Sequence, residues 1–452
     1  MEKYIINTPC GAVRGVDCRL DGVIAFKGIR YATAKRWGYP DQVTKWEGIY
    51  EASSYGHCSY QPRTFYDEEK NEKKYFYYKE FRKGAVYTYD EDCLFLNIWK
   101  PENAKEGDKL PVLIYIHGGG FTGGCAHEKH FDDPVWAQKG IIGVTINYRL
   151  GPMGFIALPE LKEEAGKTGN YGLYDQLCAI KWIKDNISSF GGDPDAITIM
   201  GQSAGAMSVQ QHSLSPLSEG LFRGAVMSSG GGVHKILSAA PAEKMYGFWH
   251  TVMDNCGASN LEEFRAVPPK KLFEVWKATQ IELKKYTSCF PCIDGELVVG
   301  SGSKLFAEKK HHKINYMLGS TSHDMMTFFM NSMSKNWCES QEKNSYTWFF
   351  DRILPGENYG AWHSSDLWYW FDTLDNGWRP WEEQDRKIAS LMSDYLVNFV
   401  KYGNPNGEGL PVWDSSQKGK KSLFIGEGEP QMANPSKAKL LWTMISNKNV
   451  CE

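Results

Sequence analysis

Apolar and polar positions follow two periods along this chain. Short, nearly continuous apolar runs recur at Leu94–Trp99, Val112–Ile116, Ile141–Asn147, Ile197–Met200, around Val226, at Ile314–Leu318 and at Leu423–Ile425. Such runs predict strands buried on both faces, as in a parallel sheet. Between them the spacing becomes helical. Leu173, Leu177, Ile180, Ile183 and Ile187 share one face, with Lys181, Lys184 and Asp185 on the wet side. The clearest stripe is Ile388, Leu391, Met392, Tyr395, Leu396, Phe399 and Val400, within Gln384–Tyr402, and Gly403 stands where a helix stops. Strand–helix alternation predicts an α/β fold, a mostly parallel central sheet flanked by helices. The opening, from Ile5 to about Tyr31, reads as antiparallel hairpins at one edge. Gly247–Lys285 is helix-rich and is expected outside the sheet. The tyrosine-rich, mixed-charge run Phe65–Gly84 reads as a solvated surface loop, with a flap bordering a substrate entrance as the alternative.

No Pro/Ser-rich linker, repeat or low-complexity tract divides the 452 residues. We expect one unit over 1–452, with cap-like insertions at approximately 60–90, 235–310 and 325–385. A net charge of −3 gives no electrostatic footprint for nucleic acid or an anionic membrane. No apolar run reaches the roughly 18–20 residues that cross a bilayer, and the first residues lack the apolar core of a secretory signal. Eleven scattered cysteines, an odd number, suit a reducing cytoplasm better than a disulfide framework. Cys289 and Cys292 have redox-motif spacing, but Pro291-Cys292-Ile293-Asp294-Gly295 reads as a turn before a strand.

The candidate chemistry centres on Ile197–Val209. A buried strand there ends in Gly201-Gln202-Ser203-Ala204-Gly205 and a helix follows, the G-x-S-x-G nucleophile elbow. A serine needs a base, a group to orient that base, and donors for the oxyanion. His117-Gly118-Gly119-Gly120-Phe121 follows another buried strand and matches the glycine loop that supplies oxyanion N–H groups. The residue after the nucleophile, Ala204, supplies a second part of the hole. In this fold the order is serine, acid, histidine. His363 lies in a loop before the last long helix, and Asp324 is the carboxylate at the end of the Ile314–Leu318 strand. His323 adjoins that acid too closely to reach both it and Ser203, and His311 and His312 read as solvent-facing.

At these residues the chain resembles the type-B carboxylesterases, which include cholinesterases and p-nitrobenzyl esterases. The resemblance rests on Glu91–Ile98, the glycine loop 117–121, Asn147–Phe155, Gly169–Gln176, Phe190–Pro194, the serine elbow and Gly403–Gly407. It implies the α/β-hydrolase fold, a Ser203–Asp324–His363 triad, and oxyanion donors on Gly119, Gly120 and Ala204. The elbow departs from the family's usual Glu by carrying Gln202, so we expect no preference for choline esters. The acid is Asp where cholinesterases have Glu. Asp324 and His363 stand only 39 positions apart (363 − 324), which suggests a trimmed cap and a more open entrance. Cys58 and Cys93 occupy the family's first loop disulfide and are expected to be reduced here; Cys256 has no obvious partner for the second.

The implied reaction is two-step hydrolysis of neutral, hydrophobic or aryl carboxylic esters through an acyl-enzyme. It takes a small-molecule ester and needs no metal or organic cofactor. Phe121, Gln202 and Trp362 adjoin the catalytic positions and are expected to bind substrate. Trp368, Tyr369 and Trp370 read equally well as core. Adhesion relatives of the family lack triad members, whereas all are present here. Acyl transfer, or hydrolysis of amides or lactones, would use the same acyl-enzyme step and stays open.

Overall fold

The computed structural model describes residues 4–233 and 239–446. Its frame is an eleven-stranded sheet. In chain order the strands are β1 (Val16–Asp17), β2 (Val23–Arg30), β3 (Phe95–Pro101), β4 (Leu110–Ile116), β5 (Ile142–Ile146), β6 (Gly192–Gln202), β7 (Gly224–Ser228), β8 (Asn315–Thr321), β9 (Ser345–Phe350), β10 (Ser422–Ile425) and β11 (Gln431–Ala433). In space they run β11-β10-β9-β8-β7-β6-β4-β5-β3-β2-β1. From β10 across to β5 every pairing is parallel, and both edges are antiparallel. The inner strands are apolar on both faces because helices cover both, as the continuous runs require.

Seven helices matter below: α1 (Tyr75–Phe81), α2 (Tyr171–Asn186), α3 (Ala204–Leu214), α4 (Glu243–Asn255), α5 (Leu261–Ala266), α6 (Pro269–Glu282) and α7 (Glu383–Tyr402). The stripe on α7 is buried from Ile388 to Val400, with Leu391 half-buried at its margin, and Gly403 ends the helix at φ 67°. Helices α4 to α6 lie in the stretch expected to be helix-rich. None of the described helices is long and apolar enough to cross a membrane.

Two expectations need correction here. Part of the insertion anticipated over 325–385 is not cap: Ser345-Tyr346-Thr347-Trp348-Phe349-Phe350 is β9, fully buried between β8 and β10. Its aromatic run packs against both neighbouring layers, so it carries no wet face to betray a strand. His312 is buried rather than solvent-facing, with its Nε2 2.9 Å from the Ser215 carbonyl, and His311 stacks on Phe306.

Candidate active site

Strand β6 runs directly into α3 through Ser203, which sits at φ 55°, ψ −123°. A non-glycine residue there stores on the order of 1–3 kcal/mol of strain. Neighbours hold it in place: Ser203 N–H donates to the Ser228 carbonyl at 2.8 Å, and Met207 N–H to the Ser203 carbonyl at 3.0 Å. Both motif glycines are required by close approach. A Cβ on Gly201 would lie 2.3 Å from the Gly205 carbonyl, and one on Gly205 would lie 2.0 Å from the Ile116 oxygen. The turn is therefore as tight as the spacing implies, and it lifts Ser203 to the carboxyl edge of the sheet.

Asp324 follows β8 in a short turn and is buried. Its Oδ1 accepts from His363 Nδ1 at 2.7 Å and from Met325 N–H at 2.8 Å, and its Oδ2 accepts from Thr321 N–H at 3.3 Å. The loop bearing His363 is stitched to this turn: His323 N–H donates to the Ala361 carbonyl at 2.9 Å, and His323 and Trp362 form a parallel bridge. So His323 holds the His363 loop through its backbone. From the other side, the Tyr77 hydroxyl of α1 donates to the His363 carbonyl at 3.2 Å. On the far side of the imidazole, His363 Nε2 lies 3.1 Å from the Gln202 amide nitrogen. An amide N–H can donate only to a bare ring nitrogen, which fits a neutral imidazole carrying its proton on Nδ1.

A second carboxylate stands close by. Asp366 is fully buried; its Oδ2 accepts from Ser228 Oγ at 2.8 Å and Trp370 Nε1 at 3.1 Å, while its Oδ1 has no partner among the described residues. Burial pushes its pKa up to about 6 against those two hydrogen bonds. Burial pulls His363 down, but the charge and hydrogen bond of Asp324, with the charge of Asp366, outweigh it and hold the imidazole above its ordinary value. Burial raises Asp324, and His363 more than reverses this. Asp366 is visible in the sequence only as a residue of the His363 loop, three positions past His363; helical spacing to Trp370 is its one signal.

The glycine loop packs against the elbow. A Cβ on Gly118 would meet the Gln202 carbonyl at 2.6 Å. Gly119 has φ 108°, and a Cβ there would strike the Gly123 oxygen at 2.1 Å. Tyr148 fastens the loop from behind, donating to the His117 carbonyl at 2.8 Å. Arg149, next to it, forms a buried bidentate pair with Asp175 of α2 at 2.8 and 2.7 Å. Among the described residues no acceptor is bonded to the N–H groups of Gly119, Gly120 or Ala204. That of Ala204 is free because it opens α3, where the first N–H groups have no partner within the helix.

Ser203, His363, Gln202 and these glycines line one cavity of about 1000 Å³. Its walls come from all three stretches expected as insertions: Phe65, Tyr77 and Phe81; Phe273 and Trp276 of α6; Met330 and Leu367. Residues 65–84 are thus a flap with a helix in it, not a solvated loop, because Phe65, Tyr66, Tyr77 and Phe81 face the cavity. Of the three residues expected to bind substrate, Gln202 lines the cavity and two do not. Phe121, at φ 60°, turns into the core against Phe155 and Phe290. Trp362 is buried behind Tyr77 and Phe81. Adjacency in sequence to a catalytic position misled in both cases. Trp368, Tyr369 and Trp370 are core. Cys58 and Cys93 are both buried free thiols.

The chain is also similar to known proteins over most of its length. A model of the carboxylesterase family matches residues 2–351 and 336–441. The chain is 38% identical over 247 residues to a fumonisin B1 esterase of Sphingopyxis macrogoltabida, covering 53% of this chain and 42% of that protein. It is 32% identical over 339 residues to a para-nitrobenzyl esterase of Bacillus subtilis, covering 73% and 64%. An acetylcholinesterase of Leptinotarsa decemlineata is 32% identical over 367 residues, covering 73% and 55%. The matched part therefore spans between 42% and 64% of these three relatives' own lengths. Among solved structures, an esterase from Clostridium hathewayi described as hydrolysing aliphatic aromatic polyesters superposes with a TM-score of 0.83 at 25% identity, covering 98% of each chain. A thermophilic p-nitrobenzyl esterase gives a TM-score of 0.83 at 24% identity, covering 98% of this chain and 100% of that one.

Proposed function

Because the chain belongs to the carboxylesterase family, we propose that it hydrolyses neutral, hydrophobic or aryl carboxylic esters, with Ser203 as nucleophile, His363 as base and acid, and Asp324 as orienter. The observation that carries this is the 2.7 Å Asp324–His363 bond, with the opposite nitrogen of the imidazole turned toward the wall that Ser203 shares. In the reading, an ester carbonyl enters beside Ser203 and its oxygen meets the N–H groups of Gly119, Gly120 and Ala204. His363 Nε2 takes the hydroxyl proton as Oγ bonds to the carbonyl carbon, and the Gln202 amide gives way to the hydroxyl. The imidazolium then hands its proton to the departing alkoxide. Water enters, loses a proton to His363 and releases the acid from the acyl-serine. Asp324 stays ionised and favours the imidazolium at each step.

The aromatic lining supports apolar acyl or alcohol groups, and the size of the cavity supports bulky ones. The ten described cysteines, all free thiols, support a reducing, cytoplasmic setting. A panel of p-nitrophenyl esters of rising chain length tests the substrate class. We expect kcat/KM to climb from acetate to the mid-length acyl chains. A flat profile, or no turnover of any ester, overturns the reading.

Gln202 bears on selectivity. A neutral amide beside His363 offers no charge to a cationic alcohol, so a choline ester and its neutral isostere should have comparable kcat/KM; a hundredfold preference for choline would defeat this. Gln202→Glu places a carboxylate next to Nε2. An opposite charge at such a distance raises a histidine's pKa by about one unit or more. The acid limb of the pH–rate profile should move up accordingly, and the choline ester should gain on its isostere.

The pH dependence follows from the base. His363 must be neutral to accept the serine proton, so kcat/KM rises with pH as it deprotonates. Since the protein holds its pKa above the usual 6.5, the midpoint of the rise lies above that value. Removing a neighbouring negative charge should shift it down: Asp366→Asn is expected to lower the midpoint by about half a unit to one unit, with the plateau rate largely kept. An unmoved midpoint would take Asp366 out of the base's surroundings.

A further inference from the structure

Outside the triad, three side chains with metal-binding chemistry converge in the interior. Cys58, Cys125 and His127 are all buried, and one ligand atom of each lies within 4.8 Å of the others. Cys58 Sγ stands 3.7 Å from His127 Nε2. Around a tetrahedral zinc ion, with Zn–S of about 2.3 Å and Zn–N of about 2.1 Å, the sulfur-to-nitrogen edge is about 3.6 Å. The pair is already spaced as such an edge.

Two further observations single this cluster out. The first is rigidity. Asn147 accepts from Ala126 N–H at 2.8 Å and donates to the His57 carbonyl at 3.0 Å. Gln61 donates to the Ser59 and Gly124 carbonyls at 3.1 and 3.0 Å and accepts from Gly124 N–H at 2.9 Å. The residues on both sides of Cys58, and on both sides of Cys125, are therefore clamped to one another by two side chains, which fixes the ligands before any ion arrives. The second is a set of buried polar atoms without hydrogen-bond partners among the described residues: His127 Nδ1, the Tyr87 hydroxyl, and Nε and Nη2 of Arg63. They are neighbours, the Tyr87 ring lying 5.4 Å from His127 and the Arg63 guanidinium 5.7 Å from Tyr87. His127 Nδ1 and the Tyr87 hydroxyl are the groups that a bound water would satisfy, and the Arg63 charge beside them is neutralised by Glu128, 2.6 Å from its Nη1.

We propose that Cys58, Cys125 and His127 bind a zinc-class divalent cation, through two thiolates and one imidazole, as a structural clamp between the loop leading to Arg63 and Phe65 and the glycine loop. Soft thiolates with an imidazole select zinc over magnesium or calcium. Binding releases the two thiol protons to solvent and leaves the fourth tetrahedral position to water, one protein ligand fewer than the four of a usual structural zinc site. The ion takes no part in the ester chemistry; it fixes two loops that wall the cavity.

The test starts with unmodified protein. Purified from zinc-supplemented cells, it should carry about one zinc per chain by elemental analysis. Exchange into cobalt should give the thiolate-to-metal charge-transfer band and the strong visible bands of tetrahedral Co²⁺. A strong chelator should lower Tm, and zinc alone should restore it. Cys125→Ser and His127→Ala should each weaken zinc binding by about tenfold or more, while Cys93→Ser, another buried thiol, should not. The wild-type readings do not depend on any variant folding. Absence of zinc and of a cobalt spectrum overturns the proposal when the three residues are intact. So does a disulfide from Cys58 to Cys125 or Cys93, mapped by mass spectrometry without reductant.

Discussion

Ser203→Ala is expected to lower kcat for p-nitrophenyl esters by on the order of 10⁶, the loss typical when a triad serine is removed. The fold should be indifferent. Alanine keeps the Cβ, suffers the same strain at φ 55° and leaves the backbone bond to Ser228 in place, so Tm should change little. Residual turnover, from oxyanion donors and binding alone, should still exceed hydrolysis in water. If the variant keeps a tenth of the activity, another residue is the nucleophile.

Asp324→Asn should cost on the order of 10⁴ in kcat, by a different route. The carboxylate accepts the Nδ1 proton and so keeps Nε2 bare for the serine. An asparagine can instead donate its amide to Nδ1. The ring then carries its proton on Nε2 and cannot take another from Ser203. The variant also removes the charge that most strongly supports the imidazolium against burial. The acid limb of whatever activity remains should therefore move to lower pH. Measured rates across pH separate this from simple misfolding, which would scale the profile without displacing it. A double variant with Ser203→Ala should be scarcely slower than the serine variant alone, because the three residues act as a unit.

Much of this site is legible in the chain because its parts are backbone devices with strict residue requirements. Gly201 and Gly205 cannot carry a Cβ, and Gly119 cannot either, so the elbow and the glycine loop announce themselves. Asp324 and His363, the proposed acid and base, follow from chain order and from the ends of periodic runs. What stays hidden depends on which surface a side chain meets, and periodicity does not encode that. Ser345–Phe350 falls in the stretch read as a cap-like insertion and is an inner strand, because both its faces are covered. Phe121 and Trp362 adjoin catalytic residues yet point away from the cavity, while Phe273 and Trp276, from a distant helix, point into it. His312 sits in a charged stretch but finds the Ser215 carbonyl. The second carboxylate, Asp366, matters through burial beside His363, which no local pattern reveals.

The most direct measurement is acylation read on the protein itself. Mixing enzyme with excess p-nitrophenyl ester should release a burst of p-nitrophenol equal to the enzyme present. Acid-quenched samples should then show a single acyl adduct by intact mass, mapped to the peptide bearing Ser203 and absent from the Ser203→Ala and His363→Ala variants. Turnover with Ser203 unmodified throughout, or an adduct resident on any other side chain, would contradict the mechanism at its root.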